Sequence, residues 1–208
     1  MSADVNVAEG DGDAVLVQRI GDARLPTRHG EFRAVSYRAH DGHEHVALVS
    51  GDPTGTAALT RLHSECLTGD VLGSIKCDCG EQLEHALGEI RAVGRGVVVY
   101  LRGHEGRGIG IAAKIRAYEL QDGGLDTVDA NLAQGLPVDA RQYDVAAAIL
   151  RDLGVESVRL MTNNPAKASG LVEHGLAVDE LVPIHVASFD ESRAYVQSKV
   201  DRMGHRAS

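Results

Sequence analysis

Asp78-Cys-Gly-Glu-Gln-Leu-Glu-His-Ala-Leu-Gly-Glu-Ile-Arg-Ala-Val-Gly-Arg-Gly-Val-Val-Val-Tyr-Leu101 is a helix pattern followed directly by a strand pattern. Leu83, Leu87 and Ile90 recur at helical spacing, and Gly94 or Gly96 ends the run. Asp78 has the N-cap residue type and Glu81 stands three positions on, the spacing of a capping box. Residues 97–101 form an unbroken apolar run, as in a strand buried on both faces. The alternation continues downstream. A loop over 102–110 leads to a helix near 112–120, and residues 122–136 read as mostly irregular. Asp139, with Gln142 three positions on, is placed to cap a helix carrying Val145, Ile149 and Leu153, closed by Gly154. Residues 157–161 read as a strand ending in Thr162-Asn-Asn-Pro165, whose proline suits the first turn of a helix running to Gly175. A last strand over 176–185 and a terminal helix over 191–203 follow. Upstream, the runs 14–20, 31–38 and 44–50 are short, apolar or branched and bounded by Gly, Asp or Pro, so they read as strands. Residues 57–62 read as a fourth, delivering Arg61 and His63. The expected fold class is α/β, with a mixed sheet, flanking helices and a β-rich N-terminal third.

A chain of 208 residues suits one domain, or two small ones sharing a core. Its formal net charge of −9 argues against non-specific nucleic-acid binding, which needs Lys and Arg against phosphates. Residues 1–12 are acidic and hold almost nothing to bury, so they read as a flexible leader and carry no signal-peptide core. No stretch approaches the length of a membrane span, and three cysteines without an even framework point to a reducing compartment; the expected location is the cytoplasm, with no membrane partner.

The cysteines, Cys66, Cys77 and Cys79, lie in one window beginning Arg61-Leu-His-Ser-Glu-Cys66 and ending Cys77-Asp-Cys-Gly-Glu-Gln82. Three thiolates can hold zinc and leave a fourth position for water, the arrangement of a catalytic site; His63, His85 or His104 would close it into a structural one. Cys79, at a helix start, gains support for its thiolate from the helix dipole. The loop Arg102-Gly-His-Glu-Gly-Arg-Gly-Ile-Gly110 fails the dinucleotide-binding pattern, since Ile111 stands where a third glycine is due, and it is not a P-loop. Nucleobase deaminases use His-x-Glu and Pro-Cys-x-x-Cys; His63-Ser-Glu65 matches the first half, but Cys77-Asp-Cys79 has one intervening residue and no proline before it. Water attack on a ring carbon, leading to ring opening, is the other zinc chemistry to weigh.

Arg61-Leu-His-Ser-Glu-Cys-Leu-Thr-Gly-Asp70, Cys77-Asp-Cys-Gly-x-Gln82, Glu105-Gly-Arg-Gly-Ile-Gly110, Ile115-Arg-Ala-Tyr-x-Leu-Gln-Asp122 and Thr162-Asn-Asn-Pro-x-Lys167, in this order, closely resemble GTP cyclohydrolase II. Lys199-x-x-x-Met203-Gly-His205 resembles that family's ending, so residues 13–205 are expected to form a single compact catalytic domain. The dihydroxybutanone-phosphate synthase domain often fused ahead of this enzyme is expected to be absent, given the short N-terminus. The resemblance implies opening of the imidazole ring of GTP, release of formate and pyrophosphate, and a diaminopyrimidinone ribosyl phosphate for riboflavin synthesis. It implies Cys66, Cys77 and Cys79 as ligands of one zinc per chain, which activates the water that attacks the guanine ring carbon. GTP contacts would fall on Arg61, Leu62, His63, Ser64, Glu65, Gln82, Glu105, Gly106, Arg107, Thr127, Thr162 and Lys167, with magnesium on the triphosphate. Asp139 matches the proton acceptor, Arg141 the nucleophile toward the α-phosphate, and Tyr118 a phenol near the guanine. The family is typically homodimeric.

The residues themselves leave alternatives open. Asp139 equally suits a helix cap, and Arg141, protonated at any ordinary pH, suits a phosphate clamp better than a nucleophile. Arg61, Arg107, Arg141 and Lys167 supply cations for a triphosphate, and Gln82 a paired donor and acceptor for the guanine edge. Ile111-Ala-Ala is smaller than the family's usual residues, and Leu181 stands where Arg is expected. Those departures leave room for a paralogue that stops at the formamidopyrimidine, and for a zinc-stabilised GTP sensor without turnover.

Overall fold

The computed structural model describes residues 16–186 and 189–204. In chain order its strands are β1 (Val17–Thr27), β2 (Gly30–Ala39), β3 (Glu44–Ser50), β4 (Ala58–Ser64), β5 (Gly96–Leu101), β6 (Ser157–Met161) and β7 (Ala177–Val182). The helices are α1 (Cys79–Val93), α2 (Ile111–Asp122), α3 (Thr127–Leu132), α4 (Asp144–Asp152), α5 (Pro165–Glu173) and α6 (Asp190–Met203). All seven strands join one sheet in the order β1-β2-β3-β5-β4-β6-β7. The N-terminal strands and β5 pair antiparallel, whereas β5, β4, β6 and β7 run parallel, so the sheet is mixed.

The sheet is covered on both faces. Val97, Val99 and Leu101 of β5 pack with Val145, Ile149 and Leu171 of α4 and α5. Val98, pointing the other way, packs with Ala86, Leu87 and Ile90 of α1 and with Phe32. The alternation explains why the β5 sequence is apolar without interruption. From β4 the chain crosses through α1 to β5 on one side, then passes α2, α3 and α4 to reach β6 on the other. Strand order therefore reverses at β4, and the carboxyl ends of β4, β5 and β6 open a crevice there.

Four expectations need correction. Asp78 precedes α1, but its carboxylate makes no cap bond; it accepts from Gln82 Nε2 at 2.7 Å, so there is no capping box. Asp139 caps no helix, because α4 begins only at Asp144 and the Asp139 carboxylate is wrapped by Arg141. Residues 122–136 are not irregular throughout: α3 forms where the Asp126 carboxylate accepts from Val128 N and Asp129 N, each at 2.8 Å. Six residues are too few to show helical periodicity, although Asp126 had the cap residue type. Finally, β1 does not stop at Ile20 but continues through Gly21 and Pro26 to Thr27. It is an edge strand with β2 as its neighbour, where a bulge at Ile20, just before Gly21, and a proline cost no second ladder. The leader over 1–12, the first residues of the run at 14–20, and His205 lie outside the described residues.

The β4–β5 pair has no slack. A Cβ on Gly96 would lie 2.3 Å from the Leu59 carbonyl oxygen and 3.2 Å from both branches of Ile90. Gly96→Ala is expected to destabilise by about 2 kcal/mol, within the range for overpacked cores. For a chain of this length that lowers Tm by roughly 4–8 °C. Calorimetry reads the shift; an unchanged Tm would mean that β4 and β5 can separate freely.

Candidate active site

The motifs that stand far apart in sequence meet at the carboxyl ends of the three central parallel strands. β4 ends in His63 and Ser64 and leads to Glu65 and Cys66; β5 leads to His104–Arg107; β6 leads to Thr162, Asn163 and Asn164. The helix after β4 begins at Cys79, as its dipole role requires.

Cys66, Cys77 and Cys79 bring their sulfurs within 4.8 Å of one another, the one such group of potential ligands among the described residues, and no histidine or carboxylate belongs to it. Cys66 Sγ and Cys77 Sγ are 3.6 Å apart. Thiolates about 2.3 Å from a tetrahedral zinc ion would stand roughly 3.8 Å apart, so the donor set fits such an ion. Gly69 keeps the space open: a Cβ there would come within 2.9 Å of Cys77 Sγ and 3.2 Å of Cys66 Sγ. Hydrogen bonds from Cys77 and Cys79, with Lys114 nearby, hold the Cys66 thiol well below its usual range, while donation to Cys66 pushes Cys77 up to about 11.

His63 is not placed to close the site. Its Nε2 lies 3.0 Å from both oxygens of Asp70, its ring stacks on Tyr100 at 5.4 Å, and Tyr100 Oη donates to Asp70 at 2.8 Å. Asp70 also accepts from Cys66 N at 3.0 Å, tying this buried network to the first thiol. Burial keeps His63 below its usual pKa despite Asp70, so the ring is neutral.

On the other side of the thiols Arg61 is buried, donating to Met161 O at 3.0 Å and to Gln82 Oε1 at 2.7 Å. Gln82 passes its Nε2 to Asp78, so its amide orients Arg61. Burial lowers Arg61 to about 10, which leaves it charged at neutral pH. Lys167 donates to Leu62 O at 2.7 Å, and Thr162 Oγ1 accepts from Asn164 N. Arg107 is buried with φ +71°, a strained conformation for a residue with a side chain, between Gly106 and Gly108, which share the left-handed region. Its carbonyl accepts from Ala140 N at 3.0 Å, which docks the 139–141 segment. There Arg141 forks onto Asp139, Nε to Oδ1 at 2.9 Å and Nη2 to Oδ2 at 2.5 Å, and reaches Ser64 Oγ at 3.4 Å. Burial alone would raise Asp139, but the Arg141 guanidinium holds its carboxyl below the usual range.

Two adjoining open pockets share Ser64, Cys79, Arg107 and Arg141 as their common wall. The first is also lined by Glu65, Cys66, Gly106, Tyr118 and Thr127, the second by Arg61, His63, Gln82, Thr162 and Lys167. Leu62 reaches neither; its side chain is fully buried in the core. Glu105 faces a third groove, and its two oxygens are engaged by Lys114 Nζ and Leu67 N, each at 2.6 Å. Asp139 and Cys77 stand behind residues of the wall and line neither cavity. Sequence reasoning assigned no role to Asp70 or Lys114, nor to Asn131, which lines the first of these pockets. Lys114 precedes Tyr118 by one helical turn, which was the available signal.

The family profile described as GTP cyclohydrolase II matches residues 18–183. The riboflavin biosynthesis protein RibBA of Salinispora tropica is 59% identical over 91% of this chain and 48% of its own length. RibBA of Mycobacteroides abscessus is 58% identical over 91% of this chain and 47% of its own. The chain thus spans about half the length of the curated relatives it matches. Among solved structures, RibBX, a two-domain 3,4-dihydroxy-2-butanone 4-phosphate synthase from A. baumannii, aligns with 82% of this chain and 41% of its own at a TM-score of 0.49 and 23% identity, a likeness that bears on neither fold nor chemistry.

The His104 environment has a measurable consequence. Burial, with Arg141 next, depresses its pKa to about 3. The folded state then binds fewer protons than the unfolded one between that value and an unfolded pKa of about 6.5, so stability falls as pH drops through this window. His104→Gln is expected to remove about 2 kcal/mol of the stability difference between about pH 7 and about pH 5. Urea titrations at the two pH values measure it, and an identical difference in both proteins would refute it.

Proposed function

The chain belongs to the GTP cyclohydrolase II family, and from that premise we propose that it hydrolyses the imidazole ring of GTP. It releases formate and pyrophosphate and leaves a diaminopyrimidinone ribosyl phosphate, the first step of riboflavin biosynthesis. One observation carries the reading: a wall of Ser64, Cys79, Arg107 and Arg141 divides a cavity beside the thiols from one rich in cations. Guanine suits the first cavity, beside Tyr118 and Thr127; the triphosphate, with magnesium, suits the second, beside Arg61, Lys167 and Thr162.

Cys66, Cys77 and Cys79 would hold one zinc ion, which when bound supplies an activated water and polarises the ring carbon. Asp139, held ionised by Arg141, is the proton acceptor. Arg141 clamps the phosphate and does not attack it: its guanidinium is forked onto Asp139 and keeps its proton. His63 presents a neutral ring fixed by Asp70, and Gln82 aims Arg61. Tyr118 Oη, 3.5 Å from Thr68 Oγ1, stands at the guanine end. The working form is a homodimer in the cytoplasm. Leu67, Val71, Leu72 and Ile75, exposed on the loop between the first two cysteines, favour a second copy against that loop. No described helix is long and apolar enough to cross a membrane.

Incubation with GTP, with formate and pyrophosphate assayed separately, tests the reading, and both products are expected. Pyrophosphate without formate would indicate a paralogue that stops at the formamidopyrimidine, and neither product would indicate a sensor. Arg141→Ala should keep zinc and lose pyrophosphate release by about 100-fold or more, as for other transition-state donors. Cys66→Ser should lose zinc and formate while retaining some pyrophosphate release. If folded Cys66→Ser releases none, the two halves of the reaction share the thiol site.

A further inference from the structure

Lys114 has no part in the roles above, yet it is the cation most tightly bound into the thiol cluster. Its Nζ lies 3.0 Å from Cys66 Sγ, 2.9 Å from Thr68 Oγ1 and 2.6 Å from Glu105 Oε1. An ammonium has three N–H donors, and these partners take all three. The pair is enclosed, with Lys114 and Glu105 side chains 11% and 7% exposed. Lys114 is therefore not a spare cation for phosphate. It ties together three segments: the loop after β4 that carries Cys66, the strained loop after β5, and α2. Leu67 N closes the ring by donating to the other oxygen of Glu105 at 2.6 Å.

We propose that Lys114 is a positioning residue of the metal site, donating to the Cys66 sulfur so as to limit the charge this thiolate gives to a bound ion. A ligand that shares its electrons with a neighbouring N–H donates less to the metal, which stays a stronger Lewis acid. Glu105 and Thr68 aim the ammonium, and Glu105 balances its charge in a buried setting where neither would be stable alone. A lysine that served only as counter-ion to Glu105 would have no need of the sulfur. This inference rests on the thiols holding a metal, as proposed above.

Cobalt(II) is the probe, because its thiolate charge-transfer absorption reports the electron density on the sulfurs. The full chain, loaded with cobalt as wild type, Lys114→Met and Lys114→Arg, is compared with circular dichroism on each. Removing the N–H should move the band to longer wavelength in Lys114→Met, with Lys114→Arg staying near the wild-type position. If Lys114→Met does not fold or load, Lys114→Met with Glu105→Gln removes the stranded carboxylate, and the same shift is expected there. A band unmoved in a folded, loaded methionine variant overturns the inference and leaves Lys114 a cross-link. If the wild type takes up no cobalt, the metal reading itself falls and this inference with it.

Discussion

The parallel pairing of β4 with β5 on one side and β6 on the other is the constraint on which the rest depends. Backbone hydrogen bonds hold three strand ends level, and whatever follows each strand must emerge at the same edge. The cysteine loop, the glycine-rich loop and the Thr162–Asn164 turn are neighbours for that reason alone. Gly96 sets the spacing, since its missing side chain lets β5 approach the Leu59 carbonyl. The helices that bury the two sheet faces lock this edge in place without occupying it.

The crevice gathers charges that cannot stay buried unless each is answered. Arg61 meets the Met161 carbonyl and Gln82, Lys167 the Leu62 carbonyl, Arg141 the forked Asp139, and Lys114 the Glu105 carboxylate. His63 and Tyr100 converge on Asp70, which also steadies the Cys66 backbone. A protein with a net charge of −9 thereby keeps a strongly basic pocket. The pairing has a functional side: side chains already oriented by the protein need little reorganisation when a substrate's charge arrives. The positive φ of Arg107, flanked by Gly106 and Gly108, is strain of the kind that such over-determined surroundings can sustain.

Much of this could be read from the chain. Helical spacing placed α1, an unbroken apolar run placed β5, the short β-like runs placed β2 and β3, and the clustered cysteines announced a group of thiols able to hold a metal ion. Reading failed where local pattern and final partner differ. Asp78 and Asp139 have the residue type and spacing of helix caps, but both carboxylates are drawn to other partners, Gln82 and Arg141. The short α3 lacked the length for a period to appear, and β1 ran on through Gly21 and Pro26 because an edge strand tolerates both.

What the sequence determined by itself was the inventory: which residue types are present, at what spacing, and which segments must bury an apolar face. Those properties are local, set by side-chain chemistry and by repeats of two or of 3.6 residues. Only the tertiary structure decided which groups meet across the sheet edge. Lys114 reaches Cys66 from 48 residues away, and Lys167 reaches Leu62 from 105. No periodicity encodes such pairs, because they follow from the order of strands in the sheet and from the need of each buried charge for a partner. Leu62, though it lies inside the motif, buries its apolar side chain in the core, and the need of Lys167 for a partner makes its carbonyl the part that serves the site.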